Sequence, residues 1–189
     1  MEIKRINPPL SDEDVLKLRA GDKVLVSGVV YTARDAAHQK LAELLARGEP
    51  WPVDLKGQII YYVGPTPAPP GRVIGSAGPT TSGRMDAYTP AMLRCGVKAL
   101  MGKGSRNQST RQALKDYKGV YLAATGGAGA LLSKAIKESE IVAYPELGTE
   151  AIHRLVVEDF PAIVINDAYG GDLYEEGRKK YILEQQEQR

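Results

Sequence analysis

The stretch GPTTSGRMD concentrates small hydroxyl side chains and an arginine on one turn. Thr80, Thr81 and Ser82 supply the hydroxyls, and the glycine and proline before them indicate a loop. Gly83 and Arg84 follow directly. Hydroxyl groups and an arginine fork are suited to holding a carboxylate or another anion. The turn therefore predicts an anion site at the end of a strand.

Two more loops place a cation where a predicted strand gives way to a helix. Arg34 lies in YTARD, and Lys103 lies between Gly102 and Gly104 in MGKGSRNQ. Backbone N–H groups at helix starts attract anions, and ligands bind where the strands of an α/β sheet end. Together with Arg84, these cations suggest a ligand with two carboxylates or with phosphate. Taken singly, each also fits a plainer role as a surface ion-pair partner, a helix cap or a solvated side chain.

The order of the predicted elements indicates an α/β layered domain with a mixed sheet. The whole chain, 1–189, has the length of one domain, with 1–20 as an N-terminal extension and 174–189 as a polar terminal helix. Predicted strands cover residues 23–33, 58–64, 72–78, 97–101, 120–125, 140–148, 151–160 and 161–167. Predicted helices cover residues 35–47, 109–118 and 130–139.

Composition limits the chemistry that this chain can perform alone. Its 43% hydrophobic and 25% charged residues are typical of a folded protein, and its net charge of +2 gives no argument for a nucleic-acid or membrane partner. Cys95 is the single cysteine, and His38 and His153 are the only histidines, so we expect no disulfide and no metal site within the chain. The sequence has no long apolar run and no signal-peptide core, so we expect a cytoplasmic protein.

Several motifs resemble the β subunit of class I fumarate hydratase, which corresponds to the C-terminal domain of the single-chain iron–sulfur enzymes. The motifs are GPTTSGRMD, MGKGSRNQ, ATGGAGALLS, AYPELGTEA and VEDFPAIVINDAYGGDLY, and the similarity runs from about Gly21 to Tyr181. This resemblance implies a swivelling β/β/α domain. It also implies a hydro-lyase of the tricarboxylic acid cycle that interconverts fumarate and L-malate.

The resemblance further implies a cofactor and a partner. In the family, an oxygen-sensitive 4Fe-4S cluster is held by three cysteines of an α subunit, and its remaining iron binds the substrate. This chain, with Cys95 alone, cannot supply those ligands, so the cluster is expected to come from the fumarase α subunit. The expected assembly is an α2β2 heterotetramer that acts on a small dicarboxylate.

By the same resemblance, four residues are expected to meet the substrate. Thr80 corresponds to the residue that removes the C3 proton, and Arg34, Arg84 and Lys103 correspond to the residues that bind the substrate carboxylates. Further residues of the same loops are expected to support them, namely Thr81, Ser82, Gly83, Asp86 and Gly104.

Other functions remain open at the level of sequence. The β subunit of L-tartrate dehydratase is a relative that shares GPTTS, whereas the segments 83–86 and 105–107 follow the fumarase form. A methylfumarate-type hydratase would need one additional methyl pocket. A noncatalytic dicarboxylate-binding or assembly module would have the same anion-binding loops, but it would tolerate Thr80→Ala.

Overall fold

The computed structural model describes residues 3–187, a mixed sheet with helices packed on it. The strands are β1 Ile3–Ile6, β2 Lys23–Thr32, β3 Ile59–Tyr61, β4 Ala99–Gly102, β5 Val120–Ala123, β6 Ile136–Ala143 and β7 Ile152–Asn166. The α-helices are α1 Asp12–Leu16, α2 Asp35–Ala46, α3 Thr89–Arg94, α4 Gln108–Asp116, α5 Gly129–Leu132 and α6 Leu173–Glu187. Short 3-10 helices cover Ser82–Met85, Ser133–Ala135 and Pro145–Glu150.

The strands β2, β3, β4 and β5 run parallel, so their carboxyl ends meet at one edge of the sheet. β1 continues the sheet in parallel beside β2, and the strand order is β1-β2-β3-β4-β5-β7-β6. The long strand β7 runs antiparallel to β5 and also to β2, which closes the sheet partly upon itself. The shared carboxyl edge is the place where an α/β sheet binds its ligands.

The central strands separate two hydrophobic clusters. Ile59 and Tyr61 of β3 belong to a cluster shared with β1, β2, β7 and α1. Ile60 and Tyr62 belong to a second cluster that includes the buried faces of α2, α3 and α4. All four side chains are completely buried. Burial on both faces explains why this segment is continuously apolar instead of alternating with polar residues.

The predicted mixed α/β architecture is confirmed by this sheet of seven strands. The structure has α6 over Leu173–Glu187, and residues 188 and 189 of the predicted terminal helix lie outside the described residues. Residues 1 and 2 of the predicted N-terminal extension also lie outside the described part of the chain. No helix within residues 3–187 is long and apolar enough to cross a membrane.

The predicted helix over residues 130–139 is wrong in its second half. α5 ends at Leu132, and the chain becomes strand β6 from Ile136 onward. β6 pairs antiparallel with β7 through six residue pairs. Long-range pairing therefore overrides the local helix preference of this polar stretch, and nothing in its spacing signals that contact.

Further strand predictions need correction. The predicted strand 140–148 is a strand only as far as Ala143, where β6 ends, because Pro145–Glu150 form a 3-10 helix. Residues 72–78 form no strand, because the loop folds back on itself: the Thr66 N–H donates to the Ser76 carbonyl at 3.0 Å, and the Gly75 N–H donates to the Thr66 carbonyl at 3.2 Å. The predicted strands 151–160 and 161–167 are one strand, β7. Pro161 lies between the segments of β7 that pair with β6 and with β5, where a missing N–H is tolerated.

Candidate functional site

The hydroxyl-rich turn occupies the space beside the carboxyl end of β4. The Thr80 N–H donates to the Tyr62 carbonyl at 2.7 Å, just past the end of β3, and the Lys103 N–H donates to the Thr80 carbonyl at 3.2 Å. The Ser82 N–H then donates to the Lys103 carbonyl at 2.8 Å. These bonds extend the ladder between the parallel strands by one short segment. They hold the backbones of Thr80 and Lys103 side by side. The sequence predicts that both residues lie at strand ends, but not that they are adjacent.

A glycine permits this close approach. A Cβ placed on Gly102 would lie 2.1 Å from the Ser82 Oγ and 3.1 Å from the Thr80 carbonyl oxygen. The buried Tyr121 hydroxyl donates to the Gly104 carbonyl at 2.9 Å and lies 2.9 Å from the Ser82 Oγ. Burial raises the pKa of Tyr121, so its hydroxyl stays protonated and able to donate. The turn is thus fastened to the ends of β4 and β5.

The two predicted arginines lie around one carboxylate. Arg84 donates from Nε to the Asp35 Oδ1 at 3.0 Å, and its Nη2 forms an ion pair with the Asp35 Oδ2 at 2.8 Å. The Arg34 Nε lies 3.9 Å from the same Oδ2. On its other side, the Arg34 Nη2 lies 3.4 Å from the Glu150 Oε1. Arg34 follows β2 and Arg84 follows the turn beside β3, so their association depends on the parallel order of these strands.

Arg34 also lies against the end of β3. A Cβ placed on Gly64 would lie 2.5 Å from the Arg34 Nη1 and 3.2 Å from its Cδ. Gly64 is two residues beyond Tyr62, whose carbonyl accepts the Thr80 N–H. The Lys103 side chain extends over the loop after β5, where a Cβ on Gly126 would lie 3.4 Å from its Cδ. All four predicted substrate-contacting residues therefore follow the carboxyl ends of β2, β3 and β4.

Of the predicted supporting residues, Asp86 is the most strongly engaged. Its carboxylate accepts from the Arg106 Nε at 2.6 Å and from the Asn107 N–H at 2.8 Å. The Arg106 side chain is fully buried, and its Nη2 donates to the Thr89 Oγ1 at 2.7 Å. Its guanidinium also lies over the ring of Tyr121, 4.9 Å from the centroid. This ion pair joins the Ser82–Met85 helix to the start of α4.

The other predicted supporting residues are less constrained by side-chain contacts. Thr81 is exposed and forms an isolated parallel bridge with Lys103, and Gly83 is exposed beside it. Gly104 has a φ of +82°, a backbone conformation that favours glycine over residues with a side chain. Its role in the site is therefore conformational.

Sequence reasoning missed several residues that shape this site. Asp35 and Glu150 bind the two arginines, and Arg106 lies beneath the turn. Glu150 is far from Arg34 in the chain, so no local spacing connects them. Arg106 stands in MGKGSRNQ and is distinguished from a surface arginine only by its burial.

The described residues do not fit the iron–sulfur cluster that the resemblance implies. Within residues 3–187, no group of three or more His, Cys, Asp and Glu side chains is arranged to hold a metal ion. Cys95 ends α3 and precedes the start of β4, whereas the site lies where β4 ends. Cys95 is thus at the opposite edge of the sheet and cannot ligate a cluster at the site.

The fold and the site define an α/β domain whose parallel strands end in a cationic, hydroxyl-bearing edge. A family model described as "Fumarase C-terminus" matches residues 2–177, so the chain belongs to this family. The resemblance recognised in the sequence is therefore confirmed.

Curated relatives agree with the family assignment. The chain is 42% identical to "Fumarate hydratase 2" of Leishmania major over 156 residues, which are 82% of this chain and 28% of that protein. It is 40% identical over 175 residues to "Fumarate hydratase class I, aerobic" of Salmonella typhimurium, covering 90% of this chain and 30% of that protein. It therefore spans less than a third of the length of these fumarate hydratases.

A third relative is similar over nearly its whole length. The chain is 41% identical over 177 residues to the "Putative L(+)-tartrate dehydratase subunit beta" of Methanocaldococcus jannaschii. The match covers 90% of this chain and 91% of that protein. A protein named as a separate subunit is thus similar in length to this chain.

Proposed function

We propose that this chain is the β subunit of an iron–sulfur hydro-lyase that reversibly hydrates fumarate to L-malate. The observation that carries the proposal is the placement of Arg34, Arg84, Lys103 and Thr80 after the carboxyl ends of adjacent parallel strands. The names of the relatives support the substrate, and their family supports the swivelling β/β/α architecture for the single domain.

The arginines and the lysine are proposed to bind the two carboxylates of the substrate. An arginine fork orients a carboxylate through two N–H groups, whereas lysine contributes a point charge. Removal of the C3 proton builds negative charge on the adjacent carboxylate. Cationic groups that are already in position stabilise this charge, an effect commonly worth about 3 kcal/mol for one donor. The clamp therefore lowers the barrier as well as holding the substrate.

Thr80 is proposed to remove the C3 proton. Its backbone is fixed on both sides, by its N–H on the Tyr62 carbonyl and its carbonyl on the Lys103 N–H, so the residue is held at the edge of the sheet. A threonine hydroxyl is a weak base unless nearby charge stabilises its alkoxide. Lys103, whose backbone is bonded to that of Thr80, or Arg84 is proposed to supply that charge.

The site is open to solvent, which suits completion by another chain. The Arg84 side chain is 51% exposed, and Lys103 is exposed as well. We propose that a fumarase α subunit covers this edge and carries the 4Fe-4S cluster, in an α2β2 assembly. When bound, the cluster supplies a Lewis acid for the departing hydroxyl. The residues of this chain bind the carboxylates and move the proton.

A second candidate function is dehydration of L-tartrate. It is favoured by the near-complete coverage of the tartrate dehydratase β subunit, 91% of that protein. A hydratase of methyl-substituted fumarate would use the same clamps. Assays of one reconstituted complex with fumarate, L-tartrate and methylfumarate distinguish these substrates by their kcat/KM values.

The role of Thr80 is tested by Thr80→Ala in the reconstituted complex. We expect kcat to fall by about 100-fold or more while KM changes little, because a base acts on the chemical step and not on carboxylate binding. Ser109→Ala, which removes an exposed hydroxyl on α4, serves as the control and should leave both constants unchanged. A Thr80→Ala complex with near-normal kcat would favour the noncatalytic binding module.

A further inference from the structure

Asp35 lies between Arg34 and Arg84, and the proposed function assigns it no role. It is the first residue of α2 and directly follows Arg34. Its Oδ1 accepts from the Arg84 Nε at 3.0 Å, and its Oδ2 lies 2.8 Å from the Arg84 Nη2. The carboxylate thus meets the side-on edge of the Arg84 guanidinium.

The buried Arg34 Nε has no hydrogen-bond partner among the described residues, and it lies 3.9 Å from the Asp35 Oδ2. The Asp35 Oδ2 already forms the ion pair with the Arg84 Nη2. An unpaired buried polar atom is costly, so the Arg34 Nε gains from a closer approach to this oxygen. A small rotation of the Asp35 carboxylate would let one oxygen serve both guanidiniums. Asp35 is therefore placed to connect Arg34 with Arg84.

The carboxylates also determine which edge of each guanidinium remains available. Asp35 takes the Nε and Nη2 edge of Arg84, which leaves the end-on edge that includes Nη1. On Arg34, Glu150 approaches Nη2 at 3.4 Å, and Gly64 lies against Nη1. Glu150 is fixed in turn, since its Oε2 accepts from the Ala36 N–H at 2.8 Å.

We propose that Asp35 is a positioning residue that couples Arg84 to Arg34 and directs the end-on edge of Arg84 toward the substrate. The inference rests on the proposed role of Arg84 in carboxylate binding. Asp35 itself does not touch the substrate. Its carboxylate holds a half-exposed arginine in one geometry, so that less freedom is lost when the substrate binds.

Positioning and simple charge balance predict opposite effects of Asp35→Asn. The substitution keeps the shape of the side chain but removes a negative charge beside two arginines. If Asp35 only neutralised charge, its loss would strengthen the binding of a dianionic substrate. If Asp35 positions Arg84, its loss weakens binding, because the amide offers one acceptor where the carboxylate offers two.

The first test measures fumarate hydration by the reconstituted complex. We expect Asp35→Asn to lower kcat/KM by about tenfold, mainly through KM, and to have no further effect when Arg84→Ala is already present. Asp159→Asn is the matched control, because it removes the same charge from an Asp–Arg pair with Arg5 outside the site. A kcat/KM that is unchanged or raised by Asp35→Asn would overturn the inference, as would a full additional loss in the Arg84→Ala background.

Failure of the proposed function gives a different result. An unchanged kcat/KM in Arg84→Ala would remove the role of Arg84 and with it the inference. A defective Arg84→Ala beside a normal Asp35→Asn would reject the inference alone. The contact between Asp35 and Arg84 is measured by NMR on the isolated, isotopically labelled chain. The Nε–H resonance of Arg84 is assigned by its absence in Arg84→Ala. We expect this proton to exchange slowly with solvent. Slow exchange that persists in Asp35→Asn would also overturn the inference.

Discussion

At the scale of single residues, the position of Arg34 depends on the absence of a side chain at Gly64. A Cβ there would lie 2.5 Å from the Arg34 Nη1, well inside contact distance, and 3.2 Å from the Thr149 carbonyl oxygen. The arginine side chain is more easily displaced than the backbone. A substitution at Gly64 should therefore affect the site more than the fold.

We predict that Gly64→Ala lowers kcat/KM of the reconstituted complex by about 10- to 100-fold, because misplacing a clamp by roughly 1 Å has costs of that size. Steady-state kinetics measure the effect. Gly177→Ala is the control: a Cβ at this glycine of α6 meets nothing within 4 Å, and activity should stay unchanged. Normal kinetics in Gly64→Ala would contradict the placement of Arg34 in the site.

Sequence reasoning identified the residues with unusual chemistry but not those that position them. Thr80, Arg84 and Lys103 stand out because glycines mark their loops. Asp35 and Glu150 look like ordinary surface acids in the sequence, and they meet the arginines only through the sheet. Their contribution follows from tertiary contact, which residue spacing does not report.

At the scale of elements, the turn is joined to α4 by the buried ion pair of Arg106 with Asp86. Removing one partner of such a pair leaves a buried charge without compensation, which commonly costs about 3–5 kcal/mol. We predict a loss of that size in the free energy of unfolding for Arg106→Met. Urea denaturation of the isolated chain measures it.

The exposed pair of Arg47 with Glu49 provides the control for Arg106→Met. Because water screens it, Arg47→Met should leave the free energy of unfolding nearly unchanged. Equal and small effects of the two substitutions would show that the Arg106 pair does not stabilise the turn.

α2 carries a buried histidine, His38, whose titration should affect the stability of the fold. His38 is fully buried, its Nδ1 lies 2.8 Å from the Arg34 carbonyl oxygen, and burial lowers its pKa to about 4 from 6.5. Between these two pH values the unfolded chain binds a proton that the folded chain does not. Acidification from pH 6.5 to 4 therefore lowers the free energy of unfolding. Above pH 6.5 the histidine is neutral in both states, and it causes no loss of stability there.

We predict that His38 contributes up to about 3 kcal/mol to the loss of stability across this window. Urea denaturation of the native chain and of His38→Gln at several pH values measures the contribution as the difference in slope. The other histidine, His153, is present in both proteins, so its lowered pKa cancels in the comparison. Identical slopes would contradict the burial of a neutral His38.

Local pattern predicted most elements but failed where distant strands decide the structure. The helix α2 and the parallel strands follow from periodicity and β-branched residues. The first half of β6 was predicted as helix, because its pairing with the distant strand β7 is what makes it a strand. β1 was not predicted at all, since its four residues become a strand only by pairing with β2.

At the scale of the whole molecule, partial closure of the sheet by β7 fixes the four parallel strands relative to each other. Their carboxyl ends then present the candidate site as an open edge, with Arg84 half exposed. The chain spans 28% and 30% of the two fumarate hydratases compared above and nearly all of a protein named as a β subunit. These facts support the proposal that another chain completes the site.

The most direct test of this proposal is an anaerobic assay of fumarate hydration. The chain is measured alone and after mixing with a cluster-reconstituted fumarase α subunit encoded beside it. The proposal predicts activity only in the mixture, lost again when the cluster is removed by a chelator. Activity of the chain alone, or none on fumarate in a cluster-loaded complex that dehydrates L-tartrate, would contradict it.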